Sequence, residues 1–266
     1  GMILFLFLIV SCFLSYQSHL IFDDEDEYYY YTYMKQLEGE KTIEKTNFIQ
    51  KENKRFQSLK KKQQKFMEED KVEDLMILSE DLRPVHGFEK VVERNNYINK
   101  YNLHAYVYEG GYVKLMDFSK GNGILMILGL LLLTFSLCSV FTQDYETGQK
   151  MLLQATLLGR KKMAHKKILV SVFIIIISFG IIYLPQFITF YRLYGLVGIT
   201  EPVGCMGIQS GMEIPIWLWL VFGYVIRLII MLAYSGFFLF ISNKIKSAFV
   251  TLTVMSIVII IIFFVI

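Results

Sequence analysis

Cysteine is scarce in this 266-residue chain, with three in all, and tryptophan occurs only twice. Three is an odd number, and Cys12 and Cys138 both lie in apolar runs. That excludes a disulfide framework and a CxxC metal-ligand set. The four histidines show no HExxH spacing, so the zinc-hydrolase pattern is missing as well. No GxxxxGK loop followed by Ser or Thr occurs, and the chain cannot cradle ATP phosphates in the usual way. There is no GxSxG and no pair of glutamates on an apolar run, the groups an intramembrane protease would need. Any energy the protein uses must come from another chain.

Charge is missing from most of the length. The chain is 54% hydrophobic with a mean hydropathy of +0.44, moderately above the ~45–50% of soluble domains. Nearly all charged residues lie in the block Asp23–Lys120 and in the loop Gln143–Lys167. The net charge of +3 averages unlike parts: the block holds 17 basic and 20 acidic residues, or −3, and the loop six basic and two acidic, or +4. The remainder is close to pure Ile, Leu, Phe, Val and Gly. This is the composition of a polytopic membrane protein with one large soluble insertion.

A spanning helix needs about 20 mostly apolar residues. Five stretches meet that: Ile3–Ile21, Gly123–Phe141, Ile168–Phe190 with Pro185 near its far end, Ile214–Ser242 with Trp217 and Trp219 at a belt position, and Ala248–Ile266. The first lacks the basic leader and the small-x-small cleavage site of a signal peptide, and is read as a span. The chain opens "GM" directly on apolar residues and stops at Ile266 inside an apolar run, so a sixth span is expected beyond it. Cytoplasmic loops carry excess Lys and Arg. The loop Gln143–Lys167 and the link Asn243–Ser247, with Lys244 and Lys246, therefore face the cytoplasm, and being two spans apart they agree in parity. Asp23–Lys120 and Tyr191–Glu213 then fall outside. The organisation expected is a first span at 1–22, an extracellular helical domain at 23–121, and a transmembrane region at 122–266 with a cytoplasmic loop at 143–167.

The outside block opens "DDEDEYYYYTYMKQLEGEKT", an acidic cluster and tyrosines suited to a membrane interface. Thr42 to about Asp70 has no Gly or Pro. Ile49, Phe56, Leu59 and Phe66 recur there at spacings of 7, 3 and 7, with Glu52 and Gln63 as the weak positions of the pattern. That predicts a long exposed helix. A second helix carries Val72, Leu75, Met76, Leu78 and Leu82 and ends before Pro84; a third covers Phe88–Tyr101. "AYVYEGGYVKLM", Ala105–Met116, is expected as a small hairpin or extended return, with Gly110-Gly111 as its turn. The block reads either as a solvated helical stalk or as a receptor-like surface for a peptide or protein. Lys60, Lys61 and Lys62 form a solvated face, and nucleic acid is not an expected partner.

Within the loop, Met151, Leu152, Ala155, Leu157 and Leu158 give an amphipathic segment too short to span, bracketed by Gly148 and Gly159. Such a segment can lie on lipid headgroups or dock its apolar face in a groove of a cytoplasmic partner. "YETGQKMLLQATLLGRKKMAHKKI" resembles the first cytoplasmic loop of ABC-2-type permeases, the membrane subunits of bacterial ABC transporters, in the versions common in Gram-positive bacteria. The matching residues are Glu146, Gly148, Leu152, Leu153, Thr156, Gly159, Arg160 and Lys166. The order of parts is similar too, and "YYTYMKQLEGEKTIEKTNFIQKENKRF" resembles the outside domains of those permeases. The resemblance implies that these residues form a coupling helix on a separate cytoplasmic ATPase subunit, that a second permease copy or a homologue completes the pathway, and that the chain itself is non-catalytic and needs no cofactor or metal. It implies a peptide, lipid or drug-like cargo. The family usually has six spans, and His165-Lys166 stands where Ala-Lys is common. Arg227 is the one charge deep in an apolar run, and at about 1.5 Å per residue it lies near mid-membrane, where such residues face protein or water. The rival expectation is a membrane-anchored peptide sensor or immunity protein that moves nothing.

Overall fold

The computed structural model of the chain describes residues 2–20, 22, 24–69, 71–116, 120–146, 157–207, 213–245 and 247–265. Among them the chain is mostly helical, in this order: α1 Met2–Leu20, α2 Glu25–Leu37, β1 Gly39–Glu40, α3 Ile43–Glu68, α4 Val72–Leu82, α5 Val85–Lys100, β2 Ala105–Tyr106, α6 Glu109–Met116, α7 Lys120–Glu146, α8 Leu157–Tyr194, a 3-10 turn Val203–Met206, α9 Ile216–Lys244 and α10 Ala248–Val265. Each of the five apolar runs is helical over most of its described residues. The chain divides into two compact units, one of residues 1–19, 114–193 and 221–266, the other of residues 20–113 and 194–220.

The first unit is apolar. Leu125, Leu130, Leu133 and Leu137 of α7 form its centre with Ile182 of α8, Met231 and Phe238 of α9, and Met255 and Ile259 of α10; Phe7 of α1 joins them. Short polar side chains tie the helices. Ser11 donates to the Ile182 carbonyl at 2.8 Å, and the hydroxyls of Thr134 and Tyr234 lie 2.5 Å apart. This is how helices associate where apolar surroundings give no hydrophobic drive between them. His165–Tyr194 within α8 and Ile216–Ser242 within α9 are long and apolar enough to cross a membrane; shorter apolar helical runs are Ile3–Ser18, Asn122–Cys138 and Phe249–Ile261. Leu169, Phe173 and Ile176 of α8 are each more than half exposed. An outward face of that kind suits hydrocarbon and is rare on soluble monomers.

The second unit has a core of its own. The Asp24 carboxylate caps α2 by accepting from the Glu27 N–H at 2.6 Å, and Glu25, Asp26 and Glu27 complement the positive end of the helix dipole. Thr42 caps α3 in the same way from the Lys45 N–H at 3.3 Å. Met34 and Leu37 of α2, Ile49 and Phe56 of α3, and Phe88, Val91 and Ile98 of α5 close over Tyr106 and Tyr108. Ile49 and Phe56 are thus the buried pair of the expected α3 pattern, and Leu59 packs partly against the same core. The unit is a packed domain, and the stalk expectation is set aside: α3 has one face buried instead of solvent all round. Tyr30, Tyr31 and Tyr33 also pack on this core, where the sequence had suggested only an interfacial role.

The turn expected at Gly110-Gly111, for a hairpin or an extended return over Ala105–Met116, is absent. Ala105-Tyr106 pairs antiparallel with the distant Gly39-Glu40 (Gly39 opposite Tyr106), and Gly110-Gly111 lies inside α6. The reason is packing. A Cβ at Gly111 would sit 2.7 Å from the Tyr194 ring, and one at Gly110 within 2.4 Å of the Tyr108 ring. The two glycines serve close approach of aromatic rings instead of a turn. The segment after α8 folds back on itself as well: Val203 N–H donates to the Ile214 carbonyl at 2.8 Å and Ile216 N–H to the Glu201 carbonyl at 2.9 Å.

Candidate functional site

Two regions carry the residues that the sequence singled out. Of the proposed docking loop, Gly148, Leu152, Leu153 and Thr156 lie outside the described residues. Glu146 is the last residue of α7, and Gly159 and Arg160 fall in the first turn of α8. Lys166 is exposed two turns further along α8. That helix runs without a break from Leu157 to Tyr194, so the basic residues Arg160, Lys162, Lys166 and Lys167 belong to the same helix as the apolar run Ile168–Phe190.

Arg227 gives the second region, and its surroundings are polar. It sits on α9 with 2% exposure, two residues from residue 229, the middle of Ile216–Ser242. Its Nη2 donates to the Leu115 carbonyl at 2.8 Å, and its Nη1 reaches Gln186 Oε1 at 3.4 Å. Leu115 is the next-to-last residue of α6, whose final four carbonyls have no partner inside the helix. Asn122, on α7, donates from Nδ2 to the neighbouring Lys114 carbonyl at 2.7 Å. Gln186 Nε2 in turn donates to Asn122 Oδ1. A closed ring results: the C-terminal end of α6, Arg227, Gln186, Asn122, and back to α6. The positive side chain at that end also complements the negative pole of the α6 dipole. The guanidinium lies over two aromatic faces, 5.2 Å from the Tyr183 ring centre and 5.3 Å from that of Tyr224. Aromatic faces attract cations most strongly where water is excluded.

The sequence singled out Arg227 and missed Gln186, Asn122, Tyr183 and Tyr224. A signal was present. Asn122 and Gln186 are polar residues at the edge of, or within, apolar runs, Gln186 directly follows Pro185, and Tyr183 and Tyr224 each precede a polar partner by three residues, one helical turn. What could not be read was that three separate helices bring them together with the end of a fourth. Chemically the ring holds a cation, an amide pair and two phenols. It offers no nucleophile beside a base, and no group of three or more His, Cys, Asp or Glu that could hold a metal occurs among the described residues.

A third polar cluster, not foreseen, lies in the second unit. Glu109 of α6 forms an ion pair with Arg94 of α5, and Tyr30 of α2 donates to both carboxylate oxygens at 2.8 and 2.9 Å. Burial, and then the Glu109 charge, push the Tyr30 phenol above its ordinary pKa, with Arg94 opposing. Tyr30 therefore stays protonated and remains a donor. The three side chains pin α2, α5 and α6 together.

Comparison of the chain with family models, with curated proteins and with solved structures finds no match.

Proposed function

We propose that the chain is the membrane subunit of an ABC-2-type exporter, with α1, α7, α8, α9 and α10 as five spans, the segment between α1 and α7 extracellular, and the loop 143–167 cytoplasmic. The observation that carries this reading is the continuity of α8. One helix begins in the strongly basic loop and ends beyond Gln186, in the ring around Arg227. From Leu157 to Gln186 is about 44 Å at 1.5 Å per residue. A push on the loop by an ATPase subunit is delivered along such a rod to a buried polar ring beside the start of α7.

In this reading the docking surface comprises Glu146, Gly148, Leu152, Leu153, Thr156, Gly159, Arg160 and Lys166. A partner ATPase that closes on nucleotide biases two arrangements of the spans, and shifts their populations only by its differential affinity for the two. Pro185 supplies a place for α8 to bend, since a proline inside a helix removes one backbone bond. A second copy or a similar subunit completes the pathway, and the cargo is a peptide, a lipid or a drug-like molecule. Catalysis resides on the partner chain.

The test is a pull-down from detergent-solubilised host membranes, comparing the chain with the double variant Glu146→Lys, Leu153→Asp. An ATPase subunit captured by the first and lost with the second supports the reading. If neither captures an ATPase, the permease reading fails.

A further inference from the structure

Spacing separates an inward and an outward face of α8. Ser171, Ile175, Ser178 and Ile182 recur every three to four residues and are each at most 2% exposed. Ile175 and Ile182 belong to the apolar core of the first unit. Lys162 precedes Ser171 by nine residues, about two and a half turns, and so lies on the opposite side of the helix. From Lys162 the residues Lys166, Leu169, Phe173 and Ile176 follow in steps of four, three, four and three, which puts all five on one outward stripe. Both lysines are exposed, and Leu169, Phe173 and Ile176 are exposed by 71%, 62% and 59%.

The stripe changes character at one level. The apolar run Ile168–Phe190 is about 33 Å long at 1.5 Å per residue, close to the ~30 Å of a bilayer's hydrocarbon core. With α8 as a span, Leu169, Phe173 and Ile176 meet acyl chains. Lys166 then stands where the chains give way to headgroups, with Lys162 one turn, about 6 Å, further out. Their ammonium groups need an anion. No Asp or Glu occurs between Leu157 and Tyr194, so neither lysine has a carboxylate one turn away on its own helix. Neither forms an ion pair among the described residues. A lipid phosphate is the anion held at that level. A zwitterionic headgroup brings its own cation against the lysines, whereas an anionic one does not.

We propose that this stripe of α8 binds an anionic phospholipid, its phosphate between Lys162 and Lys166 and an acyl chain along Leu169, Phe173 and Ile176. The proposal rests on α8 as a span and on no other part of the permease reading. It needs neither an ATPase nor a second copy.

The experiment uses the full chain with Trp217→Phe and Trp219→Phe, and Leu169→Trp as a reporter on the stripe. It is reconstituted in mixed vesicles of phosphatidylglycerol and phosphatidylcholine, with one lipid or the other brominated on its acyl chains. Quenching of the reporter gives the preference for phosphatidylglycerol at that face. Each lysine at an anionic surface is worth about fivefold, so a preference of about fivefold or more is expected at position 169. Replacing both lysines, by Lys162→Gln with Lys166→Gln, brings it within twofold of parity, and replacing both by arginine retains it. Both lysines are exposed, so these changes leave the core intact, and equal melting temperatures verify this. Phe222→Trp on α9 is the control, 57% exposed with no basic residue within four positions, and shows no such preference. Parity at position 169 overturns the proposal. So does a preference that survives in the glutamine pair, or an equal one at position 222. No quenching at position 169 by either lipid overturns both the proposal and α8 as a span, while the ATPase pull-down decides the docking loop independently.

Discussion

Arg227 shows how much one side chain can organise. It caps the end of α6, donates to Gln186, and rests on two tyrosine faces. Arginine has a rigid fork of donors, whereas lysine is a point charge on a flexible stem. Lysine at this position keeps the charge and loses the simultaneous reach to Leu115 and Gln186. Arg227→Lys and Arg227→Met should therefore both lower stability, by about 1–3 kcal/mol for the carbonyl left buried without its donor. Methionine should fare no worse than lysine, because it removes a buried charge along with the bonds. Thermal unfolding in one detergent, followed by tryptophan fluorescence, orders the three proteins. A lysine variant as stable as wild type would show that charge alone, and not the capping geometry, is what the ring requires.

Among the elements of the second unit, α2 and α5 approach closely at Gly87. A Cβ at Gly87 would lie 2.7 Å from the Asp26 carbonyl oxygen and 2.8 Å from the Tyr30 nitrogen, both backbone atoms that cannot swing aside. Gly87→Ala should force the helices apart and destabilise the unit by about 1–3 kcal/mol, as overpacking does, despite alanine's better helix propensity. Gly180, with nothing among the described residues within 4 Å of its Cβ position, is the control: Gly180→Ala should be neutral or stabilising. Equal melting temperatures for the two variants would refute close packing at Gly87. These particulars also show what the sequence could tell. Helices α3, α4 and α5 were legible because their apolar residues recur at helical spacing and Thr42 and Pro84 mark ends. The Gly110-Gly111 pair was misread because local turn chemistry is the same whether the glycines bend the chain or admit a ring, and Tyr194, which decides it, is 83 positions beyond Gly111. The ring around Arg227 was legible in one member only, since its other members are ordinary polar residues until four helices meet.

For the whole molecule, connectivity makes a crossing by α7 testable with two residues. Lys62 on α3 and Lys162 on α8 are both exposed. If only α8 and α9 cross, both lysines precede the first crossing and share a side. If α7 crosses too, as the five-span reading requires, they lie on opposite sides. In a background with Cys12, Cys138 and Cys205 replaced by alanine, Lys62→Cys and Lys162→Cys are tested on intact cells with a membrane-impermeant maleimide. The five-span reading expects labelling at position 62 without permeabilisation and at position 162 only after it. Labelling of neither in intact cells, followed by both on permeabilisation, would rule out a crossing by α7 and put the large polar block in the cytoplasm. The basic bias of the loop 143–167 argues for the first result: a +4 segment beside an apolar helix is held on the cytoplasmic side, whereas a long domain crosses with little regard to its own charge.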